Sequence, residues 1–215
     1  MTQEEKVSFS HLLASLLYPP DQGLMIQILQ GALYSYFQKY FESWGENSDP
    51  LKGFLIEGDP EVLLKELTEA YELHFSGLRG ENISLVESYY KPWTLDPHCP
   101  LPFASSKGLC MGDSAIHLLE IYRLCDMQVA KDFESCPDHL AIELEFLSYL
   151  HQWATDVEIK KFIEDHLDWI PLLKEEFKQG HPHPFYRSVL EVLDLFVNRE
   201  RNRLEVEDHG KKEIG

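Results

Sequence analysis

Basic residues are scarce in this chain: 19 Lys and Arg stand against 37 Asp and Glu in 215 residues, for a formal net charge of −18. Nucleic-acid binding relies on Lys and Arg to neutralise phosphates, and an anionic membrane surface asks for the same charge, so neither is expected as a partner. Cysteine is sparse too. The four, at 99, 110, 125 and 136, form no C-x-x-C pair, and their gaps fit neither a zinc ribbon nor a finger. Buried free thiols are the expectation. No window approaches 18 consecutive apolar residues, which leaves no membrane-spanning helix. The opening MTQEEK has neither a basic start nor an apolar run, so no secretory signal is expected and the cytoplasm is the expected location.

Catalytic signatures are missing as well. There is no G-x-S-x-G, no Gly-rich phosphate or dinucleotide loop, no H-E-x-x-H and no paired E-x-x-H suited to a di-iron site. The chain is read as a non-enzyme, with no cofactor, no metal and no catalytic residues. The loop pair His181 and His183 has no evident third ligand, and turn or capping chemistry accounts for it.

What the sequence does have is helical periodicity. Apolar residues make up 44% of it and aromatics 12%, enough for a packed core. Helices are expected over residues 3–18, ended by Pro19-Pro20, and from Asp21 as cap to about Trp44. After a short helix, Asp59 caps another that carries Pro60 at its first position and stops at Gly77. Residues 78–107 lose all regular pattern and hold Pro92, Pro97, Pro100 and Pro102, with Tyr89, Tyr90, Trp93 and Phe103. A connection of that length in a compact domain is usually functional or a hinge. Periodicity resumes at Leu109; residues 156–178 form a helix that Pro171 kinks or divides, and a last helix runs from Phe185 to Leu204. No alternating β-branched runs occur. The fold expected is all-α, a single globular bundle of about seven or eight helices over residues 1–205. It has a hinge candidate at 78–137 and a disordered tail at 206–215.

The stretch Ser135–Trp153 is the most apolar of these. Ser135 reads as its N-cap, Pro137 lies in the first turn, and Asp138 faces the positive end of the helix dipole. Leu140, Leu144 and Leu147 form one stripe, with Ile142, Phe146, Tyr149, Leu150 and Trp153 on the adjoining flank, so the helix should be packed on several sides. Glu143 falls inside the apolar arc. It is either hydrogen-bonded to another element or a ligand-facing acid, since a bare carboxylate there is costly. His139, His151 and His166 read as structural histidines.

Several motifs together resemble a known family. PDHLAIELEF at 137–146 is similar to the PDHL segment and following helix of the TorD/DmsD family of cytoplasmic chaperones for molybdenum-containing redox enzymes, relatives of the NarJ type. AYELHFSG at 70–77 resembles that family's aromatic motif before its long loop, and Glu87-Ser88-Tyr89-Tyr90 resembles its E-S-V-Y element. HLDWIPLLKEEF and HPFYRSVLEVLDLF are similar to its last helices. The chain departs from the pattern at His74 (usually leucine), at Leu78 (often proline), and in a longer loop between Tyr90 and Lys107.

The resemblance implies an all-helical chaperone that binds the twin-arginine signal peptide of an apo-molybdoenzyme. It would hold back Tat export and aid insertion of the molybdopterin cofactor, as a monomer or a domain-swapped dimer. By position, Tyr71 and Phe75 would line the peptide groove with His74, Glu87, Ser88, Tyr90 and Trp93, and Asp138-His139 would form the pair that contacts the client. The chemistry is coherent. Two guanidiniums suit carboxylates, and the apolar segment behind them suits an aromatic groove. Two other readings are a helical adaptor that binds a different segment of its partner, and a small nucleotide-binding protein using Asp138, His139 and Glu143.

Overall fold

The computed structural model describes residues 1–75, 83–180 and 182–212, with side chains described to residue 206. Among these residues the structure is helical, with no strand beyond one isolated antiparallel bridge between Val86 and His139. Nine α-helices are described: α1 (Gln3–Ser15), α2 (Gln22–Leu29), α3 (Ala32–Trp44), α4 (Pro60–Phe75), α5 (Asp113–Leu124), α6 (Leu140–Trp153), α7 (Asp156–His166), α8 (Ile170–Gln179) and α9 (Pro184–Lys212). Short 3-10 turns lie at Asp49–Phe54, Glu87–Tyr89 and Lys131–Phe133.

Capping chemistry sets most starts. Thr2 and Glu5 form a reciprocal capping box on α1, and Thr155 and Glu158 form one on α7. Asp21 Oδ1 accepts from Leu24 N at 2.8 Å, and Asp59 Oδ1 from Glu61 N at 2.9 Å, both as the sequence indicates. Several boundaries differ from expectation, the start of α5 among them, at Asp113 rather than Leu109. The helix expected from Asp21 to Trp44 is two, because Gly31 turns left-handed at φ 68° and α3 restarts after it. The helix across Pro171 is divided, but the break falls at residues 167–169, with Pro171 in the first turn of α8, where a missing N–H costs nothing. The backbone of α9 runs on to Lys212, past the point where a tail was expected. Gly77 and His181 lie outside the described residues. The four cysteines are free, yet Cys110 is exposed and the other three only half-buried, so the expected burial does not hold.

The chain divides into two compact units. One comprises residues 1–17, 84–173 and the chain from Leu204 on; the other comprises 18–83 and 174–203. In the first, α6 is central, with ten of its fourteen residues buried, Glu143 and His151 among them. The expectation of packing on several sides is met, except that Trp153 is 69% exposed. Antiparallel to α6 runs α1, where Ser148 Oγ donates to Val7 O at 3.0 Å and Gln3 Nε2 to Gln152 O at 2.9 Å. Burying each Leu or Phe of such a face contributes about 1.5–3 kcal/mol.

In the second unit the 3-10 turn Asp49–Phe54 meets the start of α9. Phe54 stacks on Phe37 (centroids 5.2 Å) and meets Phe185 edge-on at 5.6 Å. Gly53 N donates to Ser188 Oγ at 3.0 Å, so the two backbones run very close. A Cβ on Gly53 would stand 2.0 Å from Pro184 O and 2.4 Å from Ser188 Oγ. Overpacking of this kind costs about 1–3 kcal/mol. Gly53→Ala is therefore expected to lower the unfolding free energy by that amount, seen as a lower urea midpoint at an unchanged slope. A midpoint equal to wild type would show that this approach is not obligatory.

Candidate functional site

The residues singled out by the sequence fall into two groups, one in each unit. Tyr71, His74 and Phe75 lie on the last turns of α4. Phe75 stacks on Phe177 (5.6 Å, 6° between planes) and meets Tyr186 edge-on, while Tyr71 packs against Phe75 at 5.4 Å. The shared face expected from the i,i+4 spacing is real. His74 is 2% exposed, edge-on to Phe177 at 5.2 Å. Burial pushes the Tyr71 phenol up to about 12, so it stays protonated.

Glu87, Ser88, Tyr90, Trp93, Asp138 and His139 belong to the other unit, and most of them meet where residues 84–91 cross the start of α6. Two backbone bonds make the crossing: Glu87 N donates to Asp138 O at 3.0 Å, and Leu140 N to Leu85 O at 2.7 Å. Side chains complete it. Asp138 Oδ2 accepts from Ser88 N at 2.8 Å and from the Ser88 hydroxyl in a very short bond. Asp138 thus turns inward to the loop and does not face the helix N-terminus. The cap of α6 is His139, whose Nδ1 accepts from Ala141 N at 3.2 Å. The helix begins at Leu140, five residues after Ser135. Burial drops the His139 pKa to about 4, which keeps Nδ1 free to accept at neutral pH.

Behind this crossing lies a buried acid cluster. Glu87 is fully buried; its Oε2 accepts from His166 Nδ1 at 3.0 Å, and its Oε1 pairs with Lys91 Nζ at 2.6 Å. Lys91 also reaches Asp168 at 2.5 Å and the Asp165 carbonyl at 2.6 Å. Burial pushes the Glu87 carboxyl up, but the His166 bond and the charges of His166 and Lys91 outweigh it and hold the group low. For Asp138 the balance runs the other way, burial raising it against the Ser88 bonds.

Glu143 is fully buried beside them. Burial raises its pKa well above the ordinary value, and the charges of Glu87 and Asp138 raise it further. Leaving a second buried carboxylate unpaired would cost several kcal/mol, whereas a neutral acid can donate to Glu87. The site therefore holds Glu143 protonated against an ionised Glu87. Of the two sequence readings of Glu143, the raised pKa beside Glu87 favours a hydrogen bond to another element over a ligand-facing acid.

His166 extends the cluster outward. Its Nε2 lies 2.8 Å from His117 Nδ1, with the rings stacked at 4.9 Å, and Trp169 Nε1 donates to His166 O. Tyr90 stacks on Trp169 at 5.0 Å. Sequence reasoning passed over His117 and Lys91; the available signal was a histidine on the stripe of Ile121 and Leu124.

Trp93 stands apart, half-buried, in the irregular stretch, which is pinned rather than free. Trp93 N donates to Ser106 O and Thr94 N to Ala104 O, and Trp93 meets Phe103 edge-on at 5.2 Å. The same stretch presents Tyr89, Leu95, Leu101 and Phe103 to solvent, and Leu109 and Met111 follow it before α5. Among the described residues no group of three or more His, Cys, Asp or Glu could hold a metal ion, and no helix is long and apolar enough to cross a membrane.

Comparison with known proteins now adds a family. The model of the family described as nitrate reductase delta subunit matches residues 38–189. The chain belongs to this family, the TorD/NarJ-related one. The chaperone protein TorD of Vibrio cholerae serotype O1 is 27% identical over 125 residues, 51% of this chain and 57% of that protein. Chaperone protein TorD of Vibrio parahaemolyticus serotype O3:K6 is 27% identical over 117 residues, 47% of this chain and 54% of the relative. The matches thus span little more than half the length of these relatives.

Glu143 gives a pH test. As pH rises above 4.5, the unfolded chain releases this proton while the folded state keeps it. Wild type then loses stability at about 1.4 kcal/mol per pH unit until the folded pKa is passed. Glu143→Gln carries no such proton, so its stability relative to wild type should climb from acid to neutral pH in denaturant titrations. Parallel curves across that range would contradict a protonated Glu143.

Proposed function

We propose that this protein is a maturation chaperone for a molybdopterin oxidoreductase, and that it acts by binding the twin-arginine leader of the apo catalytic subunit in the cytoplasm. The observation that carries this reading is the family match across residues 38–189. It is supported by the relatives named as chaperones and by the surface chemistry. A leader of this kind presents two guanidiniums and then an apolar segment. Guanidiniums pair in planar, bidentate fashion with carboxylates, which this chain has in excess, with 37 acids to 19 bases. The apolar segment suits the exposed side chains Tyr89, Leu101 and Phe103 of the irregular stretch, with Met111 just after it.

In this reading the motif residues divide their work by burial. Glu87, Ser88, Asp138 and Tyr90 are buried and serve by fixing the stretch from Ser84 to Trp93 on α6. Half-buried Trp93 and His139 reach the client, as do Tyr71 and Phe75 in the other unit. Occupation of the leader holds export by the Tat system back while the cofactor is inserted. The protein works as a binder and not as an enzyme, and as a monomer or a domain-swapped dimer.

The test is calorimetric titration with the leader peptide of the redox enzyme encoded beside this protein. Saturable binding is expected, weakened by at least about tenfold when both arginines become alanine, and weakened by added salt. Absence of heat with the intact leader, or equal binding of the two peptides, would overturn the reading.

A further inference from the structure

Two cysteines from separate loops converge on Ser88, and nothing in the chaperone reading uses them. Ser88 O accepts from Gly108 N at 3.1 Å, which pins the segment ahead of α5, and Cys110 follows two residues later. Ser88 N donates to Asp138 Oδ2 at 2.8 Å, and Cys136 lies two residues before that aspartate. A turn in which His139 N donates to Cys136 O at 3.1 Å keeps the second cysteine close to the same crossing. The two sulfurs are near enough that the charge of Cys110 is felt at Cys136.

The other two cysteines lie elsewhere. Cys125 follows the last residue of α5, and the twelve residues of that helix put about 18 Å between its ends. Cys99 sits in a turn of its own, where its N–H donates to Asp96 O at 3.2 Å. Cys110 and Cys136 both stand in irregular backbone, one just before α5 and the other just before α6. Gly108 and Met111, on either side of Cys110, are left-handed at φ 78° and 58°, so the chain turns sharply around it. A disulfide spans about 4.4–6.8 Å between Cα atoms, and that separation is set here by loop backbone alone.

Their surroundings order the chemistry. Cys110 is exposed and open to a reagent, whereas Cys136 is half-buried. Burial raises the Cys136 thiol, a hydrogen bond with Ser135 opposes it, and the charges of Asp138 and Cys110 add to the rise. Cys136 is therefore the thiol that reacts second.

We propose that Cys110 and Cys136 form a reversible thiol–disulfide site, closed by a low-molecular-weight disulfide such as glutathione disulfide. The Cys110 thiolate attacks one sulfur of the oxidant, forming a mixed disulfide and releasing one glutathione thiolate. The Cys136 thiol gives up its proton and attacks the Cys110 sulfur, expelling the second glutathione. Two protein thiols are oxidised to one disulfide, and one glutathione disulfide is reduced to two glutathiones, which take up the two thiol protons. Excess glutathione reverses both steps. The bridge encloses residues 111–135, all of α5 included, and ties the exposed Leu109 and Met111 to the start of α6. In a reducing compartment such a bridge is transient, the form a redox sensor takes.

The test uses the full chain, reduced and then equilibrated in graded mixtures of glutathione and glutathione disulfide. Samples are acid-quenched, alkylated and mapped by mass spectrometry. Wild type should lose two of its four alkylatable thiols together and yield a linked Cys110–Cys136 peptide, which dithiothreitol removes. Cys136→Ser should stop with glutathione on Cys110, and Cys110→Ser should leave Cys136 open to alkylation. Four thiols that stay alkylatable across the range would overturn the site. So would glutathione that accumulates on Cys110 of wild type, or a bridge to Cys99 or Cys125. None of these outcomes bears on the leader titration, so the two readings stand or fall separately.

Discussion

Carboxyl groups cut off from water must find donors inside the protein or give up their charge, and this constraint organises the unit built on α6. Asp138 finds Ser88, whose backbone and hydroxyl both donate to one oxygen. Glu87, one residue before that serine, finds His166 and Lys91. Glu143, one turn into α6, faces the charges of Glu87 and Asp138, which add to burial in raising its pKa well above the ordinary value. The three acids occupy one small volume because two backbone bonds, Glu87 N to Asp138 O and Leu140 N to Leu85 O, clamp the irregular stretch onto the helix start. If the Asp138 side chain is lost, Ser88 loses its acceptor and the two backbone bonds are left to hold the crossing. If Glu87 is moved, Lys91 and His166 lose their common partner.

This arrangement separates two roles that a motif blurs. Asp138 and His139 are adjacent, yet Asp138 is fully buried against Ser88 while His139 is half-buried and caps α6. Ser88 and Tyr89 divide in the same way, the serine under the helix start and the tyrosine 42% exposed. A surface of aromatic and apolar side chains held on a polar clamp has little conformational freedom to lose in any contact it makes.

Much of the architecture was legible in the chain. Helical periodicity and side-chain caps located α1, α4 and the body of α6, and the proline-rich gap located the irregular stretch. The boundaries that went astray share a cause. Ser135, Pro137 and Asp138 form a sound local N-terminal signal, but the donors on Ser88, fifty residues earlier, drew the aspartate away and left the cap to His139. Gly31 was invisible as a break because helical periodicity continues on both sides of it. Glu143 stood out as a misplaced acid, and its partner Glu87 could not be named from spacing alone. The His117–His166–Glu87 chain joins α5, the end of α7 and the loop, and no local pattern encodes a contact spanning 79 residues.

The account turns on a proton: beside Glu87, Glu143 keeps its proton well above the pH at which a free glutamate loses it. Difference infrared spectroscopy of wild type against Glu143→Gln, with glutamate carboxyls carbon-13 labelled, reads that proton directly. The account predicts a protonated-carboxyl C=O band in wild type at neutral pH that is missing in the variant. A wild-type spectrum holding only ionised carboxylate bands, unchanged in that region by the substitution, would contradict it.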